Sequence, residues 1–137
     1  MTVRRPLVLA LLVLCVGATG CGRGDDRARA TEVAEKFLAA VGAGDAAVAC
    51  GLLAEDTRKA LEDEEQKPCG EAIGGVEIDA GAPTAVDLYI TNAQAELDNG
   101  GRAFLSLTAD GWRVSAAGCK RGDGPPADAP MDCELEA

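Results

Sequence analysis

The stretch "AELDNGGRAFLSLTADGWRVSAAGC", Ala95 to Cys119, decides the fold. Ala103, Leu105 and Leu107 alternate with Phe104 and Ser106, and Trp112, Val114 and Ala116 alternate with Arg113 and Ser115. Successive side chains of a strand point to opposite faces, so a period of two residues predicts strands with one apolar face and one polar face. Asn99-Gly100-Gly101 and Asp110-Gly111 punctuate the runs. Such residues accept the positive φ that tight hairpins require.

The same period extends outward in both directions. Upstream, Ala93, Ala95 and Leu97 alternate with Gln94 and Glu96. Val86, Leu88 and Ile90 alternate with Asp87, Tyr89 and Thr91, and Val76 and Ile78 with Glu77 and Asp79. Downstream, residues 122–130 form a Gly/Pro/Asp loop, and 132–136 reads as a last short edge strand held by Cys133. Before Pro68-Cys69 the period is helical. Ala30, Val33, Ala34, Phe37, Leu38 and Val41 recur at three- and four-residue spacing, and Gly42 and Gly44 end that helix. Asp45 can cap a second helix carrying Val48, Ala49, Leu52 and Leu53, and a third runs over about 57–65 with Ala60 and Leu61 on its apolar side. The acidic run Glu62-Asp63-Glu64-Glu65 lacks the alternating ligand loop of a calcium site and reads as a solvated helix face. An apolar sheet face must be covered, and the helices are the elements at hand. The expected fold class is therefore α+β, with N-terminal helices packed on a curved antiparallel sheet.

The chain of 137 residues suits one small domain. Aromatic residues make up only 3%, so Phe37, Phe104, Tyr89 and Trp112 each matter more than usual. The formal net charge of −10 argues against nucleic acid as a partner, because that binding rests on basic patches that release counterions. It also argues against a domain lying on an anionic membrane by charge.

The N-terminus reads as an address. Met1 to Arg5 is short and basic, residues 7–16 are almost wholly apolar, and Gly17, Ala18, Thr19 and Gly20 are small. These are the parts of a secretory signal peptide. The apolar run is too short to span a bilayer, which takes about 20 residues. Arg4-Arg5 also fits a loose twin-arginine pattern. Ala18-Thr19-Gly20-Cys21 resembles the lipobox of bacterial lipoproteins, with Ala18 where that family prefers Leu. The resemblance implies a diacylglyceryl group on the Cys21 thiol and cleavage just before it. Two acyl chains anchor a protein stably where one does not. The expected organisation is a signal peptide over residues 1–20, a lipidated cysteine and polar linker over 21–28, and one domain over 29–137. The domain would sit at the extracytoplasmic face of a cell membrane, held through the lipid.

Six cysteines are then divided unequally. Cys15 leaves with the signal peptide and Cys21 is acylated, so Cys50, Cys69, Cys119 and Cys133 remain for disulfides in an oxidising compartment. Four cysteines allow three pairings, and spacing alone does not choose among them. There is no histidine and no CxxC pair, which argues against a zinc site.

The order of helices and then a meander resembles the nuclear transport factor 2-like superfamily, in particular its small secreted actinobacterial lipoproteins. "VAEKFLAAVGAGDAAVACGLLAEDTRKAL", "AELDNGGRAFLSLTADGWRVSAAGC" and the tail "MDCELEA" carry the likeness. The resemblance implies an α+β cone and the pairs Cys50–Cys69 and Cys119–Cys133.

That superfamily includes ketosteroid isomerases and polyketide cyclases, which work inside the cone with an Asp or His base and a Tyr or acid partner. Here histidine is lacking, and Tyr89 and Asp87 alternate onto the face opposite Val86, Leu88 and Ile90. No catalytic residue, metal or cofactor is assigned. The reading is a non-enzymatic accessory or binding module. Phe37 and Trp112 are candidate walls of a pocket for a small apolar ligand. Tyr89 and Phe104, with Arg102 and Arg113, are a candidate interface on the outer sheet face for an envelope protein or a second copy of the chain. The alternative is an isomerase- or cyclase-like use of the cone.

Overall fold

The computed structural model describes residues 22–122 and 131–137. Cys15, Cys21 and the proposed signal peptide lie outside these residues. Helix α1 spans Arg23–Ala43, α2 Ala46–Leu52, α3 Glu55–Glu65 and α4 Cys69–Ala72. A single 3-10 turn, Ile73–Gly75, follows. The strands are β1 Pro83–Tyr89, β2 Asn92–Leu97, β3 Arg102–Thr108, β4 Gly111–Arg121, β5 Met131–Asp132 and β6 Leu135–Glu136. The fold is α+β. Among the described residues, four helices pack against a six-stranded antiparallel sheet in the order β1-β2-β3-β4-β5, with β6 also on β4. None of these helices is long and apolar enough to cross a membrane.

Helix α1 lies across the apolar face of the sheet. Ala30, Ala34, Phe37 and Leu38 are buried at the spacing that one helix face requires. Opposite them are Ala93, Ala95, Ala103, Leu105 and Val114, all buried. Many of these are alanines, so Phe37, Leu105 and Val114 supply much of the fully buried bulk. Burying a side chain of this size contributes about 1.5–3 kcal/mol. The helix ends where Gly44 turns left-handed at φ +70, and its N–H meets the Val41 carbonyl at 3.1 Å. Asp45 then caps α2, its Oδ1 accepting from the Val48 N–H at 3.2 Å.

The outer edge of β4 is covered piece by piece. The Ala54 N–H donates to the Val114 carbonyl at 2.8 Å, and the Thr57 hydroxyl donates to the Ser115 carbonyl at 2.9 Å. Further along, β6 pairs with Ala116 and Ala117, and β5 with Lys120 and Arg121. Covering an edge in this way removes a template for unwanted pairing. It also gives Thr57, a buried polar residue, its partner. Two disulfides staple the arrangement. Cys50–Cys69 joins α2 to α4, and Cys119–Cys133 joins β4 to the tail.

Several local expectations are corrected. Residues 23–28, read as a linker, belong to α1, which starts at Arg23. Val76 and Ile78 are half-buried between exposed Glu77 and Asp79, yet they form no strand. Alternation there delivers burial without a neighbouring chain to pair with, and the segment is an extended connection after α4. The tail is two short strands with Cys133 between them, not one, since that cysteine is bonded to Cys119 on β4. In both glycine hairpins the positive φ falls on glycine, at Gly100 (+80) and Gly111 (+99), and not on Asn99 or Asp110. Strand β4 also loses register against β3 on either side of Phe104, so that Ala116 and Ala117 are both buried. Gly118 sits in this irregular stretch at φ +66, where a Cβ would come within 2.9 Å of the Glu134 side chain.

Candidate functional site

The two sets of candidate residues are treated differently by the fold. Phe37 and Trp112 are both buried between α1 and the sheet. Phe37 is a core side chain packed by its neighbours. Trp112 borders a solvent-open cleft of about 260 Å³ shared with Asp26, Arg29 and Val33 of α1 and with Leu107. Its indole Nε1 is buried and has no hydrogen-bond partner among the described residues. A buried donor left unpaired carries a desolvation cost, so this is the polar atom of the interior that stands out.

The proposed outer-face pair does not come together. Tyr89 stands opposite Asn92, and Asn92 opposite Ser106. Phe104 stands opposite Gln94, and Gln94 opposite Asp87. Tyr89 and Phe104 are therefore two strands and two residues apart, with Asn92 and Gln94 between them. Arg102 is half-buried and paired with Glu96 at 3.2 Å. Arg113 donates to the Trp112 carbonyl at 2.9 Å. The outer face is a mixed polar surface in which Phe104 is half-buried and Tyr89 is 58% exposed.

A wider cleft of about 710 Å³ lies where the start of α3 meets the outer side of β3 and β4, and Glu55, Arg58, Asp110 and Arg113 contribute charge to it. Glu55 is paired with Lys59 at 2.6 Å. The hydrogen bond and the charge of Lys59 hold the Glu55 carboxyl below its ordinary range, and Glu55 in turn raises the Lys59 ammonium. Both side chains are well exposed, so this pair is a surface ion pair of small worth. Among the described residues, no three metal-ligating side chains converge.

Sequence reasoning missed a third grouping. Tyr89, Ile90 and Leu107 are exposed large hydrophobic side chains at one end of the sheet. Ile90 was expected to face inward with Val86 and Leu88. Instead it is 90% exposed and forms the first residue of the two-residue turn between β1 and β2, at φ +55. Ile90-Thr91 carries no glycine or asparagine to signal such a turn. Leu107 joins the same end, its N–H donating to the Thr91 carbonyl at 2.7 Å. Comparison of the chain with protein-family models, with curated proteins and with solved structures finds no match.

Proposed function

We infer that the protein is an extracytoplasmic lipoprotein, acylated at Cys21 and held to a cell membrane by that lipid, whose domain serves as a non-enzymatic accessory or binding module of nuclear transport factor 2-like type. The observation that carries this reading is the division of the cysteines. Cys50, Cys69, Cys119 and Cys133 are paired with one another in two disulfides. Such pairing suits an oxidising compartment. It leaves Cys21, at the end of a small-residue stretch behind a short apolar run, with none of these four as its partner. The domain begins close behind it, with α1 starting at Arg23.

The binding-module reading is supported by what the helices and sheet bury. The buried side chains between them are aliphatic and aromatic, and the buried polar side chain among the described residues, Thr57, is occupied with the Ser115 carbonyl. A proton-transfer site needs titratable groups converging in a cleft shielded from water. Tyr89 and Asp87 are exposed instead.

Intact mass of the chain isolated from membranes, with and without reduction, tests the proposal. The expected mass begins at Cys21, carries a diacylglyceryl group and rises by four hydrogens when the two disulfides are reduced. A mature chain with an unmodified Cys21 overturns the lipoprotein reading.

A further inference from the structure

We propose that Tyr89 at the end of β1 and Ile90 in the β1–β2 turn, together with Leu107, form a membrane-seating tip that enters the interfacial layer of the bilayer to which Cys21 tethers the chain. This rests on the lipoprotein reading and adds to it an orientation and a lipid-contacting surface.

The first support is exposure. Ile90 is 90% exposed, Tyr89 58% and Leu107 41%. Tyr89 comes from the outer sheet face, Leu107 continues the alternation of the inner face, and Ile90 is the turn between strands. They therefore share an end of the sheet and not a face. Only something that approaches end-on, as a flat bilayer does, can meet all three.

The second support is backbone conformation. Ile90 is β-branched and sits at φ +55, a region that favours glycine or asparagine. Hairpin turns of this length ordinarily take those residues. Here a large aliphatic side chain is presented to solvent against its own backbone preference. Strain of this kind gathers where a side chain has a task outside the fold.

The third support is where this end lies. Leu107 lines a cleft with Asp26 and Arg29, in the first turns of α1. The far end of α1 meets the start of β1 instead, Gly42 and Leu38 lining a cleft with Ala80 and Pro83. Strand β1 thus runs back along the helix, and its seven residues cover about 20 Å at the usual strand rise. Tyr89-Ile90 arrives at the helix start. Cys21 lies two residues before Arg23, a reach of about 7 Å at full extension. A lipid on Cys21 holds this end of the domain against the membrane and not the other.

Charge beside Leu107 is mixed, with Asp26, Glu32 and Asp110 against Arg29, Lys36 and Arg113. Glu64 and Glu65 at the end of α3 share a cleft with Glu77 and Glu134. Glu134 packs beside Gly118, seven residues along β4 from the Gly111 turn. This wholly acidic cluster lies away from the Leu107 end, so the anchored end is the more balanced of the two and meets less repulsion at an anionic lipid surface. Tyrosine beside an aliphatic side chain is the composition favoured at a membrane–water interface. Three side chains are also too few for a stable protein partner, which takes about 800 Å² per side.

The test uses the full acylated chain in phosphatidylcholine vesicles whose acyl chains are brominated or not. Tyr89→Trp and, as a control on the acidic end, Glu65→Trp are compared with the unsubstituted chain, whose buried Trp112 sets the baseline. The expected result is loss of the Tyr89→Trp emission in brominated vesicles and none for Glu65→Trp. Adding Ile90→Asn, which suits the turn but is polar, should restore part of that emission. Equal quenching at the two positions in a chain shown by mass to be acylated overturns the seating and leaves the lipid anchor standing. An unacylated Cys21 overturns both. An emission change that follows the protein-to-lipid ratio and ignores bromination assigns the tip to a second copy of the chain, which also overturns the seating.

Discussion

Ile90 and Leu105 differ by one rule that the local sequence does not state. Both continue an apolar alternation, yet Leu105 is fully buried and Ile90 is almost fully exposed. Strand alternation decides a side only while the chain remains in the ladder, and β1 ends at Tyr89. Leu105→Ala should therefore lower stability by about 2–5 kcal/mol, the range for a buried leucine, as read by urea unfolding. Ile90→Gly should do the opposite. Relief of the left-handed backbone outweighs the extra freedom of glycine in the unfolded chain, and a gain of roughly 0.5–1 kcal/mol is expected in the same assay. A loss of stability on Ile90→Gly would mean that the exposed side chain packs against something within the domain.

At the scale of elements, three helices and most of the meander are legible because each carries its own periodicity and punctuation. Asp45 is the local start signal of α2, and Asp45→Ala should cost about 1 kcal/mol in thermal or chemical unfolding. Helix α4 and the segment over 76–79 are not legible. Cys69–Ala72 is too short to show a period, and it is held by the bond from Cys69 to Cys50. Val76 and Ile78 show a strand period but have no strand beside them. Pairing is a property of two segments, and one segment's pattern does not report it. The Cys50–Cys69 bond closes a loop of 19 residues. Replacing both cysteines by serine should cost roughly 3 kcal/mol in the loop-entropy account, visible as a lower unfolding midpoint.

For the molecule as a whole, the proposed lipid anchor and the fold are separable. Neither disulfide involves Cys21, and the described core begins at Ala30. Cys21→Ser should release the protein from membranes into the soluble fraction of the envelope while leaving its circular dichroism and unfolding midpoint unchanged. Full retention of that variant on membranes would remove the lipid from the account.

The amino-acid sequence by itself determined the fold class, the faces within the strands from Val86 to Ala116, the Ile90 turn excepted, and the order of helices before strands, because these rest on periodicity and turn chemistry within a few residues. It also holds the whole of the proposed address at Cys21, a signal read as linear sequence. The tertiary structure decided that Phe37 and Trp112 are buried between helix and sheet, that Tyr89 and Phe104 stand apart, and that Tyr89, Ile90 and Leu107 share the end where α1 begins. These are distances between segments far apart in the chain, and they are set by register, helix direction and the two disulfides acting together.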